Sequence, residues 1–195
     1  MKMLKISLKA TLILLVSLSC WASAPTEQKL FFFEKDYHPN NIMIVYAMVN
    51  GSCAFVPDPS DPGKPLVDFY WLMDRKNYKP THPLIKNKTR ERLIFESFAA
   101  DKRSFKVKLS DLKELDHDLP DSTITVSVSN HGETCTSKAI IKLGKSYDNQ
   151  TLELTSIYSE VKTCLGVPCG AKFVELRGKN ADTGKDLVAR YMARK

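Results

Sequence analysis

The chain has 195 residues, of which 43% are hydrophobic and 26% charged, and it carries a formal net charge of +7. This length is enough for one domain with a hydrophobic core. The basic charge alone is too common to identify a nucleic-acid-binding protein. The sequence has no arginine-rich helix, RNA-binding signature or zinc-finger spacing to add to it, so we predict no nucleic-acid partner.

The first 24 residues, MKMLKISLKATLILLVSLSCWASA, have the layout of an export signal. Lys2, Lys5 and Lys9 form a positive leading region, and a short apolar core follows them. Ala22 and Ala24 supply the small residues that signal peptidase accepts. We therefore predict that the protein is exported, to the periplasm or to the extracellular space.

Cleavage after Ala24 would leave residues 25–195 as a single β-rich domain, and cleavage after Ala22 is the alternative. Loss of the three leading lysines would lower the formal charge from +7 to +4. A lipid anchor on Cys20 is less favoured, because Ser17 stands where a lipoprotein signal usually has leucine. The longest later apolar run, Ile42 to Val49, has the length of a strand, so no transmembrane span is predicted in the mature protein.

The rest of the chain reads as one strand after another. Leu30 to Glu34 comes first, and Ile42 to Val49 is apolar on both faces, as in a central strand. The run LVDFYWLM that starts at Leu66 alternates with a period of two residues. Its first face is wholly apolar and is predicted to lie in the core, with Val67, Phe69, Trp71 and Met73. Its second face contains Leu66, Asp68, Tyr70 and Leu72.

One helix and six further strands follow. Pro83 to Phe95 is the single stretch with a helical pattern. The further strands alternate and are separated by turn residues: SFKVKL, STITVSVSN, SKAIIKL, TLELTSIYS, AKFVELRG and DLVARYM. In the first two, the period of two residues predicts that one face points inward, with Phe105, Val107, Leu109, Ile124, Val126 and Val128. The last two strands are predicted to form a hairpin across Lys179 to Lys185. About nine strands with one short helix predict a mainly β fold, either an antiparallel β-sandwich or a partly closed barrel.

Four cysteines remain after the predicted leader: Cys53, Cys135, Cys164 and Cys169. An even number in an exported chain indicates two disulfides, for which three pairings are possible. We favour Cys164 with Cys169 across the turn CLGVPC, and Cys53 with Cys135 between distant segments. A zinc site is the alternative, but these spacings lack the usual paired Cys-x-x-Cys.

The sequence contains no motif for a catalytic nucleophile, a metal or a cofactor. The four histidines form no metal-binding pair, and there is no serine-nucleophile turn and no phosphate-binding glycine loop. The polar residues near the aromatic strand are the best candidates for a binding site: Asp68, Tyr70, Asp74, Arg75 and His82.

The runs FFFEKDYHPNNIMIVYAM, KPLVDFYWLM and FVELRGKNADTGKDLVARYM resemble a bacterial family of exported domains of unknown function. The positions that match are Asn41, Tyr46, Pro65, Tyr70, Trp71, Gly178, Thr183, Gly184 and Lys185. The cysteines are not part of the family pattern, and the connection between Gly51 and Lys64 is richer in proline. The resemblance implies export and a β-rich fold, and it implies no activity.

These observations predict an exported protein of the bacterial envelope that is a non-catalytic binding or interaction module. Its partner would be an envelope ligand, a polymer or another protein. The alternative is a hydrolase whose residues come together only in three dimensions. A purely structural envelope component is the third interpretation.

Overall fold

The computed structural model describes residues 24–35, 42–74, 77–80, 93–96, 98–109 and 123–192. These ranges contain thirteen strands and one short 3-10 helix at Lys145–Tyr147. The strands are β1 (Thr26–Lys35), β2 (Ile42–Val49), β3 (Pro57–Asp58), β4 (Asp61–Pro65), β5 (Val67–Asp74), β6 (Asn77–Pro80), β7 (Leu93–Phe95), β8 (Ser104–Leu109), β9 (Thr123–His131), β10 (Thr134–Lys142), β11 (Thr151–Cys164), β12 (Val167–Asn180) and β13 (Asp186–Met192). Apart from Ala24, the predicted signal segment lies outside the described residues. Within the described ranges, no helix is long and apolar enough to cross a membrane.

Eleven strands form one mixed sheet, and β3 and β4 form a separate small one. Strand β11 is the junction of the large sheet. Its first residues pair with β10, its middle pairs in parallel with β1, and β12 runs along its other edge. One arm continues through β10, β9, β8 and β7, the other through β1, β2, β5 and β6, and β13 follows β12. The sheet curls into a half-barrel.

The inward faces of both arms form the core that the alternating patterns predicted. Val67 and Phe69 on β5 are 3% and 1% exposed. On β8 and β9 five of the predicted inward residues are buried as well: Phe105, Val107, Ile124, Val126 and Val128. The side chain of the sixth, Leu109, lies outside the description. Strand β2 is buried on both faces from Met43 to Ala47, as its apolar run indicated. The side chains of Trp71 and Met73 lie outside the described part of the structure.

A disulfide joins the two arms of the half-barrel. Cys53 is bonded to Cys135, which is 82 residues away in sequence, and this confirms the predicted pairing. Phe55 follows in the same loop, donates its N–H to the carbonyl of Lys102 at 2.9 Å, and packs edge-on against Phe105 at 4.8 Å. The loop between β2 and β3 is therefore held to the β8 side of the sheet by covalent, polar and apolar contacts.

Cys164 is disulfide-bonded too. The side chain of Cys169 lies outside the described residues, so the pairing of Cys164 with Cys169 stays a prediction. Because Cys53, Cys135 and Cys164 are all oxidised, the alternative of a zinc ion held by four thiolates is wrong.

The structure corrects three details of the predicted fold. The sheet is not wholly antiparallel, because Phe32 to Lys35 pair in parallel with Ser156 to Ser159. Leu93–Phe95, the end of the predicted helix, is strand β7 and pairs with β8, where Phe95 packs 6.2 Å from Phe105. The other residues of the predicted helix, 83–92, lie outside the description. Thirteen described strands replace the nine predicted, and the β-sandwich is not confirmed.

Strand β12 passes β11 so closely at one point that only glycine fits. The pairing of the two strands shifts register between Leu154 and Ser156, at a β-bulge. A Cβ atom on Gly178 would lie 2.0 Å from the backbone carbonyl oxygen of Glu153. Gly178 therefore allows the long β11–β12 ladder to continue on both sides of the bulge.

The predicted hairpin between β12 and β13 is confirmed, and its turn is organised by Asn180. The side-chain oxygen of Asn180 accepts the N–H groups of Asp182 at 3.0 Å and Thr183 at 2.8 Å. Gly184, at φ +69°, donates its N–H to the Asn180 carbonyl at 2.8 Å. The Thr-Gly-Lys turn thus has a local structural explanation.

Candidate functional site

The site predicted beside the aromatic strand is only partly described by the structure. Asp68 is half-buried on β5, opposite Tyr46 of β2, and its carboxylate accepts the N–H of Phe69 at 3.0 Å. Tyr70 and Asp74 lie in β5 with side chains outside the description, and Arg75 and His82 are outside it altogether. These binding residues therefore stay a prediction.

A different cluster lies on the outer face of the sheet, where β1, β11, β12 and β13 are adjacent. Residues that are paired on adjacent strands form rows there that run across the strands. One row contains Glu34, Tyr158, Glu175 and Arg190. The row on one side contains Phe32, Ser156, Arg177 and Val188, and the row on the other side contains Glu160, Phe173 and Met192.

Glu175 lies at the centre of this cluster and binds two arginines. Its Oε2 accepts hydrogen bonds from Nε and Nη2 of Arg177, at 2.9 and 2.6 Å. Its Oε1 accepts hydrogen bonds from Nε and Nη2 of Arg190, at 2.9 and 2.5 Å. Arg177 also donates from Nη1 to Glu34 at 3.2 Å. Each guanidinium group is therefore held in one orientation by a charge-assisted, two-point contact.

Each of the two guanidinium groups lies over an aromatic ring. The Cζ atom of Arg177 lies 4.2 Å from the ring centre of Tyr158, and that of Arg190 lies 4.2 Å from the ring centre of Phe173. The two rings lie 6.1 Å apart. These distances are within the range of cation–π attraction, which adds to the ion pairs.

The carboxylate is buried and the arginines are not. The side chain of Glu175 is 7% exposed, against 36% for Arg177 and 56% for Arg190. Burial has the largest single effect on Glu175 and raises its pKa, but the hydrogen bonds and positive charges of Arg177 and Arg190 together outweigh it. The pKa of Glu175 therefore lies below its ordinary value of 4.5, and the group is ionised at neutral pH.

Two exposed apolar side chains flank the arginines on the edge strand β13. Val188 is 52% exposed and Met192 is 55% exposed, one on each side of Arg190. The hydrogen bonds to Glu175 use Nε and Nη2 of Arg190, and Nη1 has no hydrogen bond to any described residue. We define the arginine patch as the two arginines together with the aromatic and apolar residues of β11, β12 and β13 in these rows: Tyr158, Phe173, Arg177, Val188, Arg190 and Met192.

A tyrosine closes the open edge of β13 beside the patch. The hydroxyl of Tyr147 accepts the backbone N–H of Arg190 at 2.6 Å and donates to the backbone carbonyl of Arg190 at 3.0 Å. The ring of Tyr147 packs on Tyr191 at 5.6 Å. Because both backbone groups of Arg190 are occupied, another strand cannot continue the ladder past this residue without displacing Tyr147.

Sequence reasoning missed the arginine patch, although one signal for it was present. The period of two residues in AKFVELRG places Phe173, Glu175 and Arg177 on the face opposite the buried Val174 and Leu176. The contact of Glu175 with β13 depends on the register of the hairpin, which the sequence pattern does not determine. Among the described residues, no group of three or more possible ligands is arranged to hold a metal ion.

Comparisons with known protein families, with curated proteins and with solved structures find no match for this chain.

Proposed function

We propose that this protein is an exported, non-catalytic binding module of the bacterial envelope, and that it binds a protein partner through the arginine patch. The observation that carries the proposal is the buried carboxylate of Glu175, which fixes two partly exposed guanidinium groups over aromatic rings. The export signal pattern supports the location. So does the disulfide between Cys53 and Cys135, a type of bond that persists in oxidising compartments.

The composition of the patch supports a protein partner. Arginine, tyrosine, phenylalanine and methionine are the residue types enriched in protein–protein interfaces, and arginine and tyrosine are common hot spots. The patch combines these types on one outer face of the sheet with two exposed apolar side chains, Val188 and Met192. A partner that matches the patch presents a carboxylate to Nη1 of Arg190 and apolar groups to Val188 and Met192.

The fixed orientation of the arginines favours binding over a purely structural role. A side chain that is already immobilised avoids a cost of about 0.5–1.5 kcal/mol when a partner binds it. The network around Glu175 therefore prepares Arg177 and Arg190 for contact. Since Tyr147 blocks the edge of β13, the partner docks on the face of the sheet and not as an added strand.

Site-specific photo-crosslinking in the cells that naturally express the protein tests this function. A photoreactive phenylalanine analogue is placed at Val188, and a control analogue is placed at Thr125, which is exposed on β9 away from the patch. We expect an adduct of defined mass from position 188 and none of that mass from position 125. Identification of the adduct by mass spectrometry then names the partner.

Two further variants test whether formation of the adduct depends on residues of the patch. Met192→Glu adds a charge at an exposed position outside the ion network, and Arg190→Gln removes a charge from within it. Both are expected to decrease the adduct from position 188 at least about fivefold, as for loss of about 1 kcal/mol of interface contact. No adduct at position 188, or an adduct unchanged by both variants, would contradict the proposal.

A further inference from the structure

The hairpin of β11 and β12 extends beyond the rest of the described sheet. On one edge β11 pairs with β10 and β1 only as far as Ser159, and on the other edge β12 pairs with β13 from Phe173 onward. The described backbone between these points pairs only within the hairpin, from Val161 opposite Ala171 to Cys164 opposite Val167. At about 3.3 Å per residue, this two-stranded arm projects roughly 15 Å.

The tip of the arm contains a fully exposed leucine in an unfavourable backbone conformation. Leu165 has a relative exposure of 105% and φ of +51°, and Gly166 follows with φ of +81°. A two-residue turn with positive φ at both positions normally has Asn-Gly or Asp-Gly, because those residues tolerate the left-handed region. Leu165 therefore costs conformational free energy and, among the described residues, recovers none of it by burial.

The arm is stabilised near this tip by a covalent bond. Cys164, the residue before Leu165, is disulfide-bonded. A two-stranded hairpin without a third strand is marginally stable in water, and a bond from Cys164 to its predicted partner Cys169 would cross-link the two strands beside the turn. The leucine is thus presented at the end of a reinforced projection, at a position where neither exposure nor turn geometry favours it.

We propose that Leu165 is an anchor that inserts into an apolar pocket of the protein partner that the arginine patch binds. The inference rests on the proposed function, because it assigns the arm and the patch to one interface. The two are continuous, since Phe173 of the patch pairs with Glu160 at the base of the arm. Places where a sequence breaks local rules without structural gain are expected to be functional.

A lipid surface fits this tip less well than a protein pocket. A single leucine has less apolar area than one myristoyl chain, which by itself binds membranes only marginally. One side chain is enough to fill a pocket when other contacts of the same interface act with it, and most of the binding energy of an interface comes from a few such residues.

Leu165→Asn separates a binding role from a structural one. A structural role of Leu165 predicts a lower unfolding temperature for the variant, whereas a binding role predicts an equal or higher one. Asparagine suits the left-handed turn position, so the variant is expected to unfold at the same or a higher temperature than the wild type. The adduct of the photoreactive analogue at Val188 is expected to decrease at least about tenfold. Ala181→Asn, in the exposed β12–β13 turn, is the matched control and is expected to leave the adduct unchanged.

A second analogue at position 165 separates failure of this inference from failure of the proposed function. We expect it to give an adduct with the same protein as position 188. An adduct from 188 that persists in Leu165→Asn, with none from 165, would refute the anchor and leave the patch. No adduct from either position would refute both. Leu165-dependent sedimentation with vesicles of three parts phosphatidylethanolamine to one part phosphatidylglycerol would also overturn the anchor in favour of a membrane contact.

Discussion

Glu175→Gln is expected to destabilise the protein by about 1–2 kcal/mol at pH 7. The substitution removes the charge that two guanidinium groups contact at 2.5 and 2.6 Å, and amide and carboxylate have nearly the same size. Loss of one partner of a fully buried ion pair costs about 3–5 kcal/mol. Arg177 and Arg190 are 36% and 56% exposed, so water screens and rehydrates them, and the cost is decreased accordingly.

The dependence of this loss on pH is the sharper part of the prediction. Because the pKa of Glu175 is lower in the folded protein than in the unfolded chain, ionised Glu175 stabilises the fold above the ordinary pKa of 4.5. This contribution disappears as the pH falls through the folded pKa. The stability difference between wild type and Glu175→Gln is therefore full at neutral pH and shrinks as the pH falls below 4.5.

Urea denaturation of both proteins at several values from about pH 7 to about pH 3 measures this difference. Glu153→Gln is the matched control, because Glu153 forms an exposed ion pair with Lys138 at 3.1 Å. Its loss is expected to be below about 0.5 kcal/mol at every pH. A Glu175→Gln difference that is absent at pH 7, or that stays constant or grows toward pH 3, would refute our description of the arginine patch.

Three further predictions concern the fold. Replacement of both Cys53 and Cys135 by alanine is expected to lower the free energy of unfolding, measured in urea, by about 2–4 kcal/mol. Under reducing conditions, the variant and the wild type are expected to have the same free energy of unfolding, because neither then has this disulfide. Gly178→Ala is expected to cost at least about 3 kcal/mol, or to prevent folding, because its Cβ would lie 2.0 Å from the Glu153 carbonyl oxygen; an unchanged melting temperature would contradict the bulge. Tyr147→Phe is expected to accelerate hydrogen exchange at the backbone amide of Arg190 with little change in stability. Unaltered exchange at this amide would show that the Tyr147 hydroxyl does not protect the edge of β13.

Much of the fold followed from local pattern, because burial on one face of a strand repeats every two residues. The inward positions of β8 and β9 were predicted correctly for this reason, and so was the hairpin that Asn180 and Gly184 organise. The pairing of Cys53 with Cys135 followed from the even number of cysteines and from the preference for joining Cys164 to Cys169 across a short turn. These inferences needed no knowledge of which strands are neighbours.

The features that sequence reasoning missed all depend on which strands are neighbours. The parallel contact of β1 with β11 joins residues more than 120 positions apart, and no local signal specifies it. The three residues of Leu93–Phe95 are too short to distinguish a strand from a helix end by periodicity. The arginine patch requires Glu175 to face both β11 and β13, and that register follows from the bulge at Gly178 and the length of the last turn.

Crosslinking from Val188 in the native cell tests the central claim most directly. We predict a single protein adduct that Met192→Glu and Arg190→Gln decrease and that the analogue at Thr125 does not form. An adduct that both variants leave intact, or the same adduct from Thr125, would show that the arginine patch is not where this protein binds its partner.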